Sequence, residues 1–136
     1  MAIQIKTLDQ LKTMRRAGLL VGQTLELLRQ SIKVGMRTDA LDAIAAANIK
    51  RGGGTSNFLG YHGYPATICT SVNDEVVHGI PNDKPLKDGD VISIDCGAIV
   101  DGWHGDSAIS VGVGQITLED QKMMDACAQS MWAGIA

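Results

Sequence analysis

Aromatic residues and cysteines are scarce in this sequence, and long apolar runs are absent. Its 136 residues include two tryptophans, two tyrosines, one phenylalanine and three cysteines. Cys69, Cys96 and Cys127 are widely spaced and form no C-x-x-C pair, which argues against a disulfide framework and indicates free thiols in a reducing compartment. We expect Cys96 and Cys127 to be small buried side chains. No stretch approaches the ~18 apolar residues of a membrane span, so a cytoplasmic protein without membrane contact is predicted.

Strong positive charge is also missing. The formal net charge is −3, and charged residues make up 20% of the chain without a cluster of lysine and arginine. Nucleic-acid binding and anionic-membrane binding therefore lack the basic surface that they require. Apolar residues make up 45% of the 136 residues, which suffices for one hydrophobic core. We predict a single domain over residues 1–136.

Two helices are predicted in the first part of the chain. Thr7 begins a capping box, and the apolar residues after it recur at three- and four-residue steps, which predicts a helix over about residues 8–31. Thr38 is a suitable N-cap and the glycines at 52–54 are a helix stop, so a second helix is expected over about residues 39–51. Its apolar stripe is assigned to the core and consists of Leu41, Ile44, Ala45 and Ile49.

The rest of the chain predicts antiparallel strands and a third helix. The segments "ATICTSV" and "VISIDCGAIV" indicate strands, and Asp101-Gly102 indicates a two-residue hairpin turn. The third helix should start at Thr117. Its apolar face would be formed by Met124, Cys127, Met131 and Ile135. We therefore expect an α+β fold in which an antiparallel sheet is packed on one side by about three helices.

The hairpin turn sets the register of two carboxylates. A two-residue turn places Asp95 opposite Ala108 and Asp106 opposite Gly97. The two aspartates then share one face as diagonal neighbours, with Cα atoms about 7–8 Å apart. Two converging carboxylates repel each other unless a proton or a cation lies between them. Their oxygens would suit a pair of divalent metal ions.

Other interpretations of these residues remain open. A three-residue loop would send Asp95 and Asp106 to opposite faces, and the pair is also compatible with two solvated side chains on an exposed sheet. His78, in "VVHGIP", is of a residue type that at such a position is more often a hydrogen-bonding structural histidine than a catalytic one. No histidine lies in an H-E-x-x-H motif, so a zinc site is not indicated by spacing.

Three segments, taken in order, resemble a known family. They are "LGYHGYP", "CTSVNDEVVHGIP" and "LKDGDVISIDCGAIVDGWHGDSA". Together they resemble the N-terminal half of a type I methionine aminopeptidase, and the resemblance covers essentially the whole chain. It implies half of a pita-bread fold, a cytoplasmic enzyme and removal of the initiator methionine from peptides with an N-terminal Met. It also implies a dinuclear centre of divalent metal, with Mn, Fe, Co and Zn as the candidates.

The resemblance implies roles for individual residues. Asp95 corresponds to a chelating metal ligand and Asp106 to a bridging one. His78 corresponds to the catalytic histidine that contacts the scissile peptide of the substrate. The residues that correspond to the lining of the methionine pocket are Tyr61, Tyr64 and Cys69.

A monovalent cation is implied as well, held by main-chain carbonyls at Asn73 and Glu75. The family completes its metal centre with a histidine and two glutamates, and no histidine follows Asp106 in this sequence. Because few ligands give weak metal binding, we expect a single chain to be nearly inactive.

The apolar face of the third helix predicts a partner or a longer parent protein. One hypothesis is a homodimer in which two copies bring Asp95 and Asp106 of each chain to a shared centre. A second hypothesis is a non-catalytic folded half-domain or scaffold that self-associates. A third keeps the pita-bread fold but assigns the substrate of a prolidase-like relative.

Overall fold

The computed structural model describes residues 3–136. The helices are α1 (Leu8–Ser31), α2 (Thr38–Arg51) and α3 (Leu118–Ile135). The strands are β1 (Thr55–Ser56), β2 (Ile68–Val72), β3 (Val91–Val100) and β4 (Trp103–Gly112), and a short 3₁₀ turn spans Tyr61–Gly63. None of the helices within residues 3–136 has the length and hydropathy of a transmembrane span.

Helix α1 begins where the capping box predicts. The Thr7 hydroxyl accepts a hydrogen bond from the Gln10 backbone N–H at 3.3 Å, and the Gln10 side chain accepts one from the Thr7 N–H at 2.8 Å. This pair satisfies two backbone donors that have no partner inside the helix. One side of α1 is buried and comprises Ala17, Leu20, Val21, Thr24, Leu25 and Leu28.

The N-cap of helix α2 is not Thr38, the residue that the sequence predicted. Arg37 is the N-cap and makes no side-chain cap, and Thr38 is the first helical residue. The Thr38 hydroxyl instead accepts from the Asn82 N–H at 2.8 Å and lies 3.2 Å from the Asn82 carbonyl oxygen. It therefore ties the segment before β3 to the start of α2. The predicted core stripe is confirmed at Leu41, Ala45 and Ile49, and Ile44 is half-buried.

Strand β3 is the centre of an antiparallel sheet. Strand β4 pairs with one edge of β3, and the short β1 and β2 pair with different stretches of the other edge. Helices α1 and α2 cover one face of this sheet. The side chains of β3 on that face are Ile92, Ile94, Cys96, Ala98 and Val100, none more than 4% exposed.

Gly105 allows α1 to approach the backbone of β4. A Cβ atom at Gly105 would lie 2.6 Å from Ala17 C and from Gly18 N, closer than side-chain carbons come to backbone atoms. The glycine therefore sets the distance between the helix layer and the hairpin, and the opposite face of the hairpin is left free of helices.

The α+β class and the antiparallel sheet are as predicted, but α3 is not part of the helix layer. Thr117 caps it by accepting from the Asp120 N–H at 3.1 Å, yet no residue of α3 is buried. The prediction that Cys127 is buried is wrong, because the helix lies away from the core and Cys127 is exposed. Its exposed apolar side chains are Leu118, Met123, Met131, Trp132 and Ile135.

Candidate metal and peptide site

The hairpin turn brings two carboxylates to one face. Asp101 and Gly102 have φ angles of 51° and 78°, which is the backbone of a type I′ turn. Asp106 is paired with Gly97, two residues along β3 from Asp95. Because residues alternate between the faces of a strand, Asp95 and Asp106 share a face. The predicted register is confirmed, and the three-residue loop is excluded.

Electrostatics makes this pair receptive to a cation. Burial of Asp95, together with the charge of Asp106, raises the pKa of the Asp95 carboxyl. A cation between the two carboxyl groups would lower the free-energy cost of ionising both. Carboxylate oxygens suit hard divalent cations, so the pair fits one side of a metal centre. Within residues 3–136 no group of three or more His, Cys, Asp or Glu side chains could hold a metal ion.

A pocket of about 480 Å³ opens beside Asp95. It brings together most of the predicted site residues, namely Tyr61, Tyr64, Cys69, His78 and Asp95. Phe58, His62 and Ile80 also line it, and none of the three was predicted from the sequence. Phe58 and His62 lie in or next to the Gly- and Tyr-rich segment "LGYHGYP", so this composition was the available signal for both.

Tyr64 holds the pocket wall to the sheet. Its hydroxyl lies 3.2 Å from the Ile68 carbonyl oxygen and 3.0 Å from that of Gly79, and its single proton is shared between these two acceptors. Its ring meets the Phe58 ring edge to face, with centroids 6.5 Å apart. Burial, with a contribution from the Cys69 thiol, raises the pKa of Tyr64, and burial raises the pKa of Cys69. Both groups are therefore neutral, which gives the pocket an uncharged wall suited to an apolar side chain.

His78 lies at the rim of the pocket on a fixed backbone. Its φ angle is 69°, a left-handed conformation that non-glycine residues rarely adopt. The following Gly79 accepts from the Thr70 N–H at 2.8 Å, and its own N–H donates to Ser71 Oγ at 3.1 Å. A side chain at Gly79 would collide with the Thr70 carbonyl. These contacts with β2 hold the His78 backbone in place.

The predicted cation residues Asn73 and Glu75 lie in one tight turn after β2. The Asn73 N–H donates to the Val91 carbonyl at 2.8 Å, and the Glu75 N–H donates to the Val72 carbonyl at 3.1 Å. The Glu75 carboxylate accepts from the Val72 N–H at 3.0 Å. The turn is therefore anchored to β3, and its role in binding a monovalent cation stays a prediction.

These features define a pita-bread-type half in which a carboxylate pair adjoins an aromatic pocket, and comparisons with known proteins agree. Residues 12–136 match the family model of metallopeptidase family M24. The chain therefore belongs to metallopeptidase family M24.

Several similar proteins are methionine aminopeptidases. Methionine aminopeptidase 1 of Mycobacterium tuberculosis is 47% identical over 132 residues, which is 96% of this chain and 50% of the relative. Methionine aminopeptidase 1 of Bacillus subtilis is 47% identical over 130 residues, covering 96% of this chain and 52% of the relative. The crystal structure of methionine aminopeptidase from Rickettsia prowazekii superposes with a TM-score of 0.96 at 36% identity, covering 98% of this chain and 54% of that chain. The chain thus spans about half the length of the curated relatives it matches.

Proposed function

We propose that this chain forms one domain that carries the methionine pocket and two metal-binding aspartates of a methionine aminopeptidase. The observation that carries the proposal is the position of Asp95, which shares a face with Asp106 and lines the pocket that contains His78. The substrate would be a peptide with an N-terminal Met, and the site of action would be the cytoplasm.

The pocket has the chemistry to bind a methionine side chain. Aromatic rings and sulfur make favourable contacts with a thioether, and Tyr61, Tyr64 and Cys69 supply both. Because Tyr64 and Cys69 are neutral, binding an apolar side chain leaves no charge unpaired there. The α-amino group and the first peptide bond of the substrate would then lie towards Asp95 and His78.

Asp95 and Asp106 would hold the divalent metal, for which Mn²⁺, Fe²⁺, Co²⁺ and Zn²⁺ are the candidates. When bound, such an ion polarises a peptide carbonyl and lowers the pKa of water. The His78 imidazole N–H would donate a hydrogen bond to the scissile carbonyl oxygen, where negative charge develops. The fixed backbone around Gly79 would keep this donor in position, since a preorganised donor does not have to reorient during reaction.

We further propose that two copies associate. Helix α3 buries none of its residues and exposes Met131, Trp132 and Ile135, and exposed apolar patches mark interaction surfaces. An isologous dimer would bring four aspartates to a shared centre. Light scattering that shows a monomer at high protein concentration, with and without Mn²⁺, would contradict this association.

Hydrolysis of a Met-Ala-Ser peptide tests the proposed activity. The chain is incubated with Mn²⁺ or Co²⁺, and free methionine is measured at several protein concentrations. We expect release that Asp106→Ala and His78→Ala abolish and that Ser110→Ala leaves unchanged, since Ser110 is exposed and bonds Ser93. If two copies are needed, the activity per chain rises with concentration.

The alternative is a non-catalytic half-domain that self-associates. It is favoured by the finding that, in the described part of the chain, no group of three His, Cys, Asp or Glu side chains could hold a metal ion. Association without methionine release at any concentration would support this alternative. Release that survives Asp106→Ala would show that the activity comes from another site or another protein.

A further inference from the structure

The side chain of Asn57 crosses the central strand on the face that carries the two aspartates. Asn57 follows β1, and its backbone N–H donates to the Gly97 carbonyl at 3.2 Å. Its carboxamide fills the space above Gly97, because a Cβ atom there would lie 2.8 Å from Asn57 Nδ2 and 2.9 Å from its Cγ. Gly97 and Asp95 are two residues apart and share a face. The carboxamide therefore lies on the aspartate side of the sheet.

The Asn57 carboxamide ends next to Asp106. Gly97 is the hairpin partner of Asp106, and Cβ positions in such a pair are about 4.5–5.5 Å apart. Asn57 Nδ2 lies 3.5 Å from the carbonyl oxygen of Gly105, whose peptide bond leads into Asp106. The side chain thus spans β3 and reaches β4 at the second aspartate.

The amide oxygen of Asn57 has no partner. Among the described residues, the buried side-chain atoms without a hydrogen bond are Asn57 Oδ1 and Thr70 Oγ1. Exchanging the amide oxygen and nitrogen of Asn57 would direct one oxygen at another, at Gly105, so Nδ2 must face Gly105. A buried acceptor without a donor is unfavourable, and this one belongs to a side chain on the face of the sheet that carries the two aspartates.

The second unpaired oxygen provides a comparison. Thr70 is paired with Ile94 on β3, so its side chain points to the face that α1 and α2 cover. It is 1% exposed. The two unpaired oxygens therefore lie on opposite faces of the sheet, and the one on Asn57 shares its face with Asp95 and Asp106.

We propose that Asn57 is a third oxygen donor of this site, with its carboxamide oxygen facing a divalent cation held by Asp95 and Asp106. The inference rests on the proposed function, because it takes the two aspartates as metal ligands. Amide oxygens are ordinary ligands of hard divalent cations, and a cation would supply the positive partner that Oδ1 lacks. Gly97 is then required, since any side chain there would displace the carboxamide.

The dissociation constant of Mn²⁺, measured by electron paramagnetic resonance on the full chain, tests this inference. We expect Asn57→Ala to weaken binding by about tenfold, the lower end of the effect of residues that support a metal site. Asn57→Leu, which has a similar shape and removes both polar atoms, should weaken binding to the same extent. Thr70→Val removes the other unpaired oxygen and should bind Mn²⁺ like the wild type.

Asp106→Ala separates failure of this inference from failure of the proposed site. If Asp106→Ala binds Mn²⁺ more weakly but both Asn57 variants match the wild type, Asn57 is not a ligand and the aspartate site stands. If Asp106→Ala binds Mn²⁺ as well as the wild type, both the site and the role of Asn57 are wrong. Circular dichroism verifies folding, and if Asn57→Ala does not fold, Asn57→Leu decides, because Mn²⁺ binding equal to that of the wild type overturns the inference.

Discussion

Asp95 on β3 and Asp106 on β4 lie on one face of the sheet, as diagonal neighbours across a hairpin. The Asp101-Gly102 turn fixes this relationship, and a shift of one residue in register would separate the two side chains to opposite faces. Burial and the charge of Asp106 raise the pKa of Asp95. Without a bound cation, the pair of carboxylates therefore has a cost in the free energy of folding.

This cost should appear in the pH dependence of stability. The pKa of Asp95 is higher in the folded protein than the usual value of about 3.9 in an unfolded chain, so the folded state binds more protons. The free energy of unfolding should therefore fall as pH rises from about 4 through the raised pKa. We predict that Asp95→Asn removes this decrease in urea unfolding measured with a chelator between about pH 4 and pH 8.

Asp90 is a control because its pKa is shifted in the opposite direction to that of Asp95. Hydrogen bonds from the Asn73 side chain and the Lys87 backbone lower the pKa of Asp90, so its stabilisation is present at neutral pH and is lost as pH falls through the lowered value. Asp90→Asn should flatten the acidic side of the profile. If Asp95→Asn has the same pH profile as the wild type, the electrostatic account of the pair is wrong.

The contact between α1 and β4 predicts a large effect of a small substitution. Gly105→Ala would place a methyl group 2.6 Å from the backbone of Ala17 and Gly18, so the helix must move. We expect a loss of about 1–3 kcal/mol in the free energy of unfolding, as for overpacked cores. Gly22→Ala on α1, where a Cβ atom would meet nothing within 4 Å, should gain up to about 1 kcal/mol. Equal effects of the two substitutions in urea unfolding would contradict the proposed contact.

The Ser71 hydroxyl is predicted to hold the backbone next to His78. Its Oγ accepts from the Gly79 N–H at 3.1 Å, so Ser71→Ala should cost about 1 kcal/mol and speed hydrogen exchange at the Gly79 amide. Ser110→Ala is the matched control, because the Ser110 hydroxyl bonds Ser93 at 2.9 Å on the exposed face. Unchanged exchange at Gly79 in Ser71→Ala would show that the other contacts of Gly79 suffice.

Local patterns explain what the sequence could predict. The capping box at Thr7 and the Asp-Gly turn involve residues close in sequence, and both predict the observed bounds and register. Thr38 and Cys127 were predicted wrongly because their surroundings depend on distant segments. Thr38 bonds Asn82, which lies far along the chain, and Cys127 belongs to a helix whose apolar side is left uncovered.

In the candidate site, too, some residues could be predicted from the sequence and others depend on distant segments. The hairpin register supplied the pair Asp95 and Asp106, and the resemblance to a known family supplied the role of His78. The structure brings Asp95 and His78 to one pocket. Asn57 could not be found from the sequence, because its position depends on crossing β3 where Gly97 leaves space. No local motif encodes that contact.

The place where Mn²⁺ binds is the most direct test of this account. In nuclear magnetic resonance spectra of the ¹⁵N-labelled chain, substoichiometric Mn²⁺ should first broaden the amide signals of Asp95, Gly97, Asp106 and His78. The signals of α3, which contains Glu119, Asp120 and Asp125, should stay sharp, and Asp106→Ala should abolish the broadening. Broadening that is centred on α3, or that persists unchanged in Asp106→Ala, would contradict the assignment of the carboxylate pair as a metal site.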